Sequence, residues 1–473
     1  MANVALIYFD LNSGYLGFSH AMAYLAGMLK KYNQKVTFFH ITNEQQFVNA
    51  FNTINQINPD ILGFSFTTNQ IKYVTKFIKL GRPLAKLIIA GGTHISSTKE
   101  EAFSQFPIFD GLCIGEGEFA FKELCARIDS KKDYSSTPSF YFRNKEGIIK
   151  NPIMPLMDIE DLALPDYSIF DVKKVVEGSD GAFTMMISRG CPYSCSYCCN
   201  HLYRELYPNK AKYIRIPSVD YALEIIKHNL SFYPNSKSIY FADDTFTLKK
   251  QFLLDFCKQY KAQIDLPFSC NARIETIDEE VVSALKNAGC TLLTFGIESG
   301  NEWMRKNILN RYYTNKQIKD VFKQVKKSGI KTHTFNIFGL PFETARMAED
   351  TIKLNFEIQP NSGRCFYFFP YPYTQDYELC KKYNLIDETS IASLSGYLEA
   401  PSLKEIYLTH KEIRGFVNKL QIYFYSRVFL FKIGTPNFLQ NPLIEVILFF
   451  RLPISLFLKS ENGLVKKIRS LMG

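Results

Sequence analysis

The sequence predicts an α/β protein: a doubly wound parallel sheet, then a partial (β/α)6 TIM-like barrel, then a helical C-terminal region. Two observations predict the first two parts. Short continuous apolar runs alternate with helical patterns over residues 1–130, and the same alternation resumes over residues 181–400. Such runs are typical of parallel strands buried on both faces. The third observation is that residues 401–473 lose this alternation and become rich in aromatic and aliphatic side chains.

The first sheet is predicted from five apolar runs, at residues 4–10, 35–41, 60–66, 86–92 and 111–118. Doubly wound sheets bind ligands at the carboxyl ends of their strands, and glycines there let a ligand approach the backbone. The strand ends carry small or polar residues: Asn12, Ser13, Gly14, Ser65, Thr67, Thr68, Gly91, Gly92, Thr93, His94, Gly115, Glu116 and Gly117. Because glycines also commonly end strands, these loops alone leave ligand binding open.

Residues 131–180 interrupt the alternation. The segment SFYFRNKEGIIKNP predicts a hairpin that turns at residues 144–147. Prolines at positions 152, 155 and 165 and an acidic stretch at 158–166 follow it. We interpret this region as an interdomain linker with a hairpin.

The barrel is predicted from six runs, at residues 182–188, 238–244, 268–273, 291–299, 332–339 and 364–370. Thr276 and Glu279 predict a capping box at the start of one intervening helix, and Thr314 and Gln317 predict another. One face of the second of these helices is apolar: Ile318, Val321, Phe322 and Val325. In such barrels the chemistry lies at the carboxyl-terminal ends of the strands.

Three cysteines, Cys191, Cys195 and Cys198, lie in the run SRGCPYSCSYCCN. Thiolates at this spacing can hold three irons of a four-iron, four-sulfur cluster and leave the fourth iron open to a small molecule. The alternatives are a zinc site or a disulfide knot. A structural zinc site needs four ligands; Cys199 is poorly placed beside Cys198, whereas His201 could serve. The other cysteines are single and predicted to pack in cores: Cys113, Cys125, Cys257, Cys270, Cys290, Cys365 and Cys380.

The cysteine content and the N-terminal run indicate the cellular compartment of the protein. Eleven cysteines without regular pairing argue against a secreted disulfide framework. The N-terminal run has no basic segment before it and is broken by Asp10, so it predicts a strand and not a signal peptide. We therefore expect a cytoplasmic protein.

The formal net charge is +10, and residues 401–473, with eleven Lys/Arg and four Asp/Glu, contribute +7 of it. This asymmetry indicates a basic tail, and we predict no nucleic-acid partner.

The tail contains two apolar runs, IYFYSRVFLF and PLIEVILFFRLPISLFL. The second is interrupted by Glu445, Arg451 and Pro453, so no 18-residue apolar span predicts a membrane-crossing helix. Two interpretations stay open. The tail could form a helical cap over the barrel, or its basic charge and the runs around Phe424 and Phe449 could contact a lipid surface peripherally.

The cysteine run, C-x-x-x-C-x-aromatic-C after AFTMMIS, resembles the signature loop of the radical S-adenosylmethionine (SAM) superfamily. The motifs GFSFTT, IIAGGTH and GEGE, the linker NPIMPLMDIEDLALPDYSIF and the later motifs FADDTFT, NARIETID, FGIESGNE and FGLPFET resemble its cobalamin-binding-domain subfamily over residues 1 to about 400. The resemblance implies a Rossmann-like, cobalamin-binding-type first domain. The D-x-H-x-x-G motif is absent, and His40 and His94 are the histidines at strand ends, so the resemblance implies cobalamin without a histidine ligand.

The resemblance also implies site residues. The three cysteines ligate the cluster and SAM chelates the fourth iron. The implied SAM contacts are Tyr197 for adenine, Asp243 and Asp244 with Thr245 for the amino group, Arg273 for the carboxylate, Glu298 and Ser299 for the ribose, and Gly339 with Leu340, Pro341 and Glu343 for the adenine pocket. The implied cobalamin contacts are Ser65, Thr67, Gly91, Gly92 and Gly115.

Four of these assignments have an alternative. The two aspartates could be solvated loop acids, Arg273 could pair with a nearby acid, and Glu298 could belong to a structural ion pair. The Gly-Leu-Pro sequence is also an ordinary turn after a strand.

The implied reaction begins when the reduced cluster passes an electron to SAM, which gives methionine and a 5′-deoxyadenosyl radical. The expected activity is cobalamin-dependent methylation of an unactivated carbon. The alternatives are a cobalamin-independent rearrangement, cyclisation or C–C coupling, and a non-catalytic cobalamin- or SAM-binding sensor. The implied partners are a small-molecule, lipid or peptide substrate and an electron donor such as flavodoxin or ferredoxin.

Overall fold

The computed structural model describes residues 1–11, 17–393, 396, 398–432, 440 and 444. Two sheets organise this part of the chain, one of seven strands and one of six. The predicted ligand residues Asn12, Ser13 and Gly14 and the second apolar run of the tail, including Phe449, lie outside the described residues.

The first sheet has the order β2-β1-β3-β4-β5-β6-β7, and its first five strands are parallel. These five strands are β1 (Asn3–Phe9), β2 (Lys35–Ile41), β3 (Ile61–Ser65), β4 (Leu87–Gly91) and β5 (Gly111–Cys113). The helices between them are α1 (His20–Lys31), α2 (Gln46–Ile57), α3 (Ile71–Ile78), α4 (Thr93–Thr98), α5 (Ala102–Gln105) and α6 (Glu118–Asp129). Alternate residues of β1 pack into cores on opposite faces of the sheet, so the predicted doubly wound architecture is confirmed.

The predicted hairpin forms β6 (Phe140–Asn144) and β7 (Gly147–Lys150). The Gly147 N–H donates to Asn144 Oδ1 at 2.9 Å, which closes the turn where the sequence placed it. The hairpin pairs antiparallel with β5 and so extends the first sheet, a pairing that the linker interpretation did not foresee. The short helix α7 (Val172–Gly178) then leads to the second sheet.

The second sheet has six parallel strands in the order β13-β12-β11-β10-β9-β8, which confirms the partial barrel. Its strands are β8 (Ala182–Met185), β9 (Ser238–Phe241), β10 (Phe268–Ala272), β11 (Cys290–Glu298), β12 (Lys331–Phe338) and β13 (Ser362–Tyr367). Its helices are α8 (Asn200–Leu206), α9 (Val219–Ser231), α10 (Lys250–Gln263), α11 (Glu279–Asn287), α12 (Glu302–Asn307), α13 (Asn315–Lys327) and α14 (Ala345–Ile358).

One of the two predicted capping boxes is confirmed and the other is wrong. Thr314 and Gln317 cap α13 reciprocally. At α11 the cap is Asp278, whose side chain accepts the Val281 N–H at 2.9 Å. Thr276 does not serve there, because α11 begins at Glu279 and Thr276 ends the preceding turn, Ile274–Thr276, two residues before the cap position.

The chain ends, as far as it is described, in α15 (Gln375–Lys382), α16 (Glu388–Ser393) and α17 (His410–Lys432). Helix α17 packs across β13 and α14. Its residues Leu420, Tyr423 and Phe424 are buried in that contact. The first apolar run of the tail therefore covers the open edge of the partial barrel, as the helical-cap interpretation predicted, and Phe424 is not available to a lipid surface.

A Gly363→Ala substitution is expected to lower the free energy of unfolding by about 1–3 kcal/mol, because it overpacks this contact. An added Cβ would lie 2.4 Å from Phe424 Cζ, and the Phe424 ring is fully buried. The measurement is the urea midpoint of the full chain. Gly415→Ala on α17 is the matched control, since its Cβ meets nothing within 4 Å and alanine favours a helix. Equal midpoints for wild type and Gly363→Ala would show that α17 does not sit on β13.

The sequence predicts no membrane-crossing helix and leaves a disulfide knot open, and the described residues bear on both points. No helix among them is both long and apolar enough to cross a membrane. All eleven cysteines lie in the described part of the chain and all are free, which excludes the disulfide knot there. Of the seven predicted core cysteines, six are buried and Cys365 is partly buried.

Candidate cofactor and active site

The cysteine run forms the loop between β8 and α8. Gly190, with φ of +85°, turns the chain into this loop, and a Cβ there would lie 2.2 Å from the Tyr213 carbonyl oxygen. Only glycine fits such a turn without displacing the neighbouring backbone. Burial raises the pKa of the Cys191 thiol to about 11, so this thiol must lose a proton when it ligates a metal.

Each of the three predicted ligands has a polar neighbour from a different element. The distances are 3.9 Å from Cys191 Sγ to Thr245 Oγ1, 3.4 Å from Cys195 Sγ to Arg273 Nη1, and 3.6 Å from Cys198 Sγ to Asn200 Nδ2. The Arg273 and Asn200 groups are donors, and donors at these positions stabilise thiolates at Cys195 and Cys198. Cys199 occupies the N-cap position of α8, and its thiol lies beside the Cys198 thiol and the Tyr203 hydroxyl.

In the described part of the chain, no three His, Cys, Asp or Glu side chains converge to hold one metal ion. This disfavours the zinc alternative, which needs four converging ligands. An iron–sulfur cluster has a different requirement, since each thiolate binds a different iron of the cluster. Three cysteines spread along one loop fit that requirement.

The two aspartates after β9 have different roles in the structure. Asp243 is fully buried, and its carboxylate accepts the N–H groups of Ile187 at 3.2 Å and Ser188 at 2.7 Å. It also accepts the Ser188 hydroxyl, and its burial raises its pKa to about 6. Asp243 thus fixes the chain segment that leads into the cysteine loop. Asp244 accepts the Asn200 amide at 3.2 Å and faces the cavity described below.

Two further predicted SAM contacts belong to ion pairs, as the alternative interpretations proposed. Arg273 binds Glu275 through two nitrogens, at 2.7 and 3.3 Å, and its guanidinium stacks 3.6 Å from the centre of the Tyr193 ring. Arg273 and Glu275 directly follow β10, and the Arg273 guanidinium lies beside the Cys195 sulfur.

Glu298, at the end of β11, accepts the Tyr197 hydroxyl at 2.9 Å and Arg311 Nη1 at 2.6 Å. Arg311 also donates to the Tyr197 hydroxyl at 2.7 Å. This network ties the aromatic residue of the cysteine loop to the fourth strand of the barrel. Arg311 was not foreseen from the sequence, since a single arginine after a helix carries no signal of its partner.

Ser299 is fully buried, and its hydroxyl accepts the Asn301 N–H at 3.2 Å. At the end of β12, Gly339 has φ of +77° and donates its N–H to Glu343 Oε2 at 2.6 Å. Burial raises the pKa of Glu343 to about 8. Glu343 therefore closes the predicted turn, and the SAM contacts of all these residues stay predictions.

A cavity of about 380 Å³ lies between the carboxyl ends of the first sheet and the cysteine-loop segment. The first sheet lines it with residues that include Ser65, Gly91, Gly92 and Gly115, and the second part of the chain with residues that include Arg189, Gly190, Tyr203, Tyr207, Tyr213 and Asp244. Four of the five predicted cobalamin contacts thus line one space with the entrance to the cysteine loop. Thr67 does not, because it caps the following turn with Gln70.

The glycines make this cavity possible. A Cβ at Gly92, with φ of +94°, would lie 2.7 Å from the Phe66 carbonyl oxygen. A Cβ at Gly115 would lie 2.4 Å from the Tyr207 hydroxyl. Side chains at these positions would displace the Phe66 backbone or the Tyr207 ring, so glycine is needed at both positions to keep the wall of the cavity as it is.

The histidine that lines this cavity is not one of the two that the sequence singled out. His94 does not line it, and both of its ring nitrogens are bonded, to Thr68 Oγ1 at 3.1 Å and to Gln105 Oε1 at 2.9 Å. His40 bonds Asp10 at 3.2 Å. His20, at the start of α1, does line the cavity; its Nδ1 bonds the Tyr167 hydroxyl at 2.7 Å, and burial lowers its pKa to about 4.

The GEGE motif joins the two sheets. Arg189 lies 2.6 Å from Glu118 Oε1 and 3.1 Å from Glu116 Oε2. Arg215 also binds Glu116, and donates to the Met157 carbonyl of the linker at 2.7 Å. The acidic residues of this motif therefore hold the segment before Cys191 against the first sheet, which the sequence alone did not indicate.

Two family models match the chain. The model described as the B12 binding domain matches residues 10–125, and the model described as the radical SAM superfamily matches residues 185–354. The two matched ranges correspond to the first sheet and to the partial barrel with its cysteine loop.

Relatives extend over most of the chain. An uncharacterized methyltransferase of Pyrococcus horikoshii is 26% identical over 86% of this chain and 87% of its own length. An anaerobic magnesium-protoporphyrin IX monomethyl ester cyclase of Rubrivivax gelatinosus is 24% identical over 77% of this chain and 67% of its own length.

Solved structures share the fold. The radical SAM methyltransferase TsrM from Kitasatospora setae superposes with a TM-score of 0.64 at 14% identity, over 80% of this chain and 76% of its own. The cobalamin-dependent SAM radical enzyme OxsB superposes with a TM-score of 0.66 at 17% identity, over 89% of this chain and 66% of its own. The chain therefore belongs to the radical SAM superfamily and carries a B12-binding domain ahead of its radical SAM domain.

Proposed function

We propose that this protein is a cobalamin-dependent radical SAM enzyme that methylates an unactivated carbon of its substrate. The observation that carries the proposal is the shared cavity: the glycine-rich strand ends of the B12-binding domain and the segment entering the cysteine loop line one space. Two cofactors that must act on the same substrate need adjacent sites, because a short-lived radical cannot travel.

In this proposal Cys191, Cys195 and Cys198 would hold a [4Fe-4S] cluster that binds SAM, and Gly91, Gly92 and Gly115 would contact cobalamin. When bound, these groups supply the electron, the radical and the methyl group, while the protein orients and shields them. The chain's own contribution is positional. Asp243 fixes the entry of the cysteine loop through two backbone N–H groups, and Arg273 donates toward the Cys195 sulfur.

The principal alternative keeps the cluster and SAM but removes cobalamin from the reaction, giving a cyclisation, rearrangement or C–C coupling. The names of relatives include a magnesium-protoporphyrin cyclase and a 4′-phospho-dehydrooxetanocin synthase of Priestia megaterium beside methyltransferases, so a reaction type other than methylation stays open. A sensor without chemistry is disfavoured, because an intact cysteine triad with an open iron position has no use in a protein that only binds.

The test uses anaerobically reconstituted full-length protein with a reductant and SAM that carries a deuterated methyl group. Formation of 5′-deoxyadenosine is expected and distinguishes an enzyme from a sensor. Transfer of the labelled methyl group to a compound from a cell extract of the source organism supports methylation. Production of 5′-deoxyadenosine and a changed extract compound without the label would favour the cobalamin-independent alternative.

The purified protein, supplied with hydroxocobalamin, is expected to retain one corrin whose lower axial position carries no histidine. The reason is that His94 has both ring nitrogens bonded and does not line the cavity. Visible absorption and the electron paramagnetic resonance of the Co(II) state measure this. His20→Ala is the matched variant, since His20 lines the cavity. Nitrogen splitting in the wild type that disappears in His20→Ala would contradict the prediction and identify His20 as the ligand.

The substrate class, the electron donor and contact with a membrane stay predictions. A flavodoxin or ferredoxin is the expected donor. The part of the tail on which lipid contact could still depend lies outside the described residues, since the run around Phe424 is buried under the barrel edge.

A further inference from the structure

Arg364 lies on β13 and faces the interior of the partial barrel. On the neighbouring strand β12, Thr334 and Asn336 bond Asn355 of α14, so the even-numbered side chains of β12 point outward. Phe335 therefore points inward. Because Arg364 is the register partner of Phe335, and paired residues of adjacent parallel strands share a face, Arg364 points inward too.

Within the described part of the chain, no carboxylate pairs with the guanidinium of Arg364. It is half-buried, and it makes no hydrogen bond or ion pair with any residue that the structure describes. His333 is among its neighbours, but burial, aided by the charge of Arg364, lowers the pKa of His333 to about 3, so this histidine is neutral. Its Nδ1 bonds the Ser362 hydroxyl at 2.7 Å. Tyr240 also interacts electrostatically with Arg364. Burial raises the pKa of the Tyr240 hydroxyl, so this tyrosine is neutral too.

Other arginines of the site are neutralised. Arg273 lies 2.7 Å from Glu275, and Arg311 lies 2.6 Å from Glu298. Partial burial of an unpaired charge costs free energy unless a ligand supplies the opposite charge. Arg364 therefore differs from Arg273 and Arg311 because no carboxylate of the described residues neutralises it, as expected of an arginine that binds an anionic ligand.

We propose that Arg364 anchors an anionic group of the substrate, a carboxylate or a phosphate, inside the partial barrel. This proposal rests on the proposed function, because it assumes that the barrel interior is the substrate site. A planar guanidinium binds either oxyanion through two parallel hydrogen bonds. The rings of Phe335 and Phe366, 5.4 Å apart between centroids, flank the position and offer apolar contact to the part of the substrate next to its anion.

SAM presents the same chemistry through its own carboxylate, and chemical labelling distinguishes the two sources. Reconstituted full-length protein without reductant, so that SAM is not cleaved, is treated with phenylglyoxal, and the modified arginines are mapped by mass spectrometry. Arg364 is expected to react, whereas the paired Arg311 is not. With SAM already bound, inorganic phosphate or propionate is expected to protect Arg364. Full protection by SAM alone would assign Arg364 to the SAM carboxylate and overturn the proposal, and so would no protection by any anion.

A binding measurement checks the labelling. Arg364→Gln is expected to weaken the binding of phosphate to the SAM-bound protein by about tenfold or more, and Arg364→Lys by less, because lysine keeps the charge but not the paired hydrogen bonds. Arg414→Gln, at an exposed position on α17, is the matched control and should leave phosphate affinity unchanged. Iron content and SAM affinity show whether each variant is folded. Unchanged phosphate affinity in a folded Arg364→Gln would overturn the proposal.

The failure of this proposal is distinguishable from the failure of the proposed function. A wild-type protein that forms no 5′-deoxyadenosine would refute the enzymatic function, whatever the labelling shows. A wild-type protein that forms it, but whose Arg364 is not protected, would refute the anion anchor alone.

Discussion

Replacement of Cys191, Cys195 or Cys198 by Ala is expected to abolish both the iron–sulfur cluster and the cleavage of SAM. Reconstituted wild-type protein should hold about four irons and four sulfides per chain, and each variant should lose most of them, because a cluster held by two thiolates is not retained. The loss of activity should be complete, since no other group in the proposed site can supply the electron. Iron and sulfide analysis, the visible spectrum and 5′-deoxyadenosine formation measure the effect.

Cys199→Ala is the matched control, because it removes a thiol from the same loop without removing a predicted ligand. The Cys199 thiol, at the N-cap position of α8, contacts the Cys198 thiol and Tyr203, whereas the Cys198 sulfur also lies 3.6 Å from the Asn200 amide. The variant should keep its cluster and its activity. If Cys199→Ala lost the cluster and Cys198→Ala kept it, the assignment of the third ligand would be wrong.

Removal of the Arg189 guanidinium is expected to cause the largest loss of stability, about 3–5 kcal/mol in Arg189→Met, because it leaves carboxylates unpaired in a buried interface. Arg189 is 18% exposed and its partner Glu118 only 8%, so water cannot replace the lost contact fully. Arg215 still neutralises part of the charge of Glu116. The urea midpoint of the apoprotein measures the effect without any contribution from bound cofactors.

Two further variants test whether pairing is the cause. Addition of Glu118→Gln to Arg189→Met should recover part of the loss, since the unpaired charge is then removed as well. Lys316→Met is the surface control, because Lys316 and Asp320 form an exposed pair at 2.6 Å and such pairs contribute little. A double variant that is less stable than either single change would indicate that packing, and not charge pairing, accounts for the loss.

Much of the fold followed from local sequence. The eleven predicted parallel strands are all present, with ends that differ by a few residues, because continuous apolar runs report burial on both faces directly. The hairpin turn at Asn144 and the capping box at Thr314 were also predictable, since their hydrogen bonds join residues three apart. Where a local signal had a competitor two residues away, as with Thr276 and Asp278, the sequence prediction was wrong.

The candidate site divides in the same way. The cysteine triad could be identified from the sequence because its spacing within one loop is itself the chemical requirement. The tertiary structure decided the partners of charged groups. Asp243 holds the entry of the cysteine loop from 55 residues away, and Glu118 pairs with Arg189 across 71 residues.

The unpaired charge of Arg364 could be recognised only in three dimensions. An arginine in a strand carries no mark of whether a carboxylate faces it, because its neighbours in space come from other strands. The sequence by itself therefore determined the fold class and the cluster loop, whose signals lie within a few consecutive residues. Only the tertiary structure decided which charges are paired among the described residues, because Coulomb interactions depend on distance in space and burial, and neither is written in local sequence.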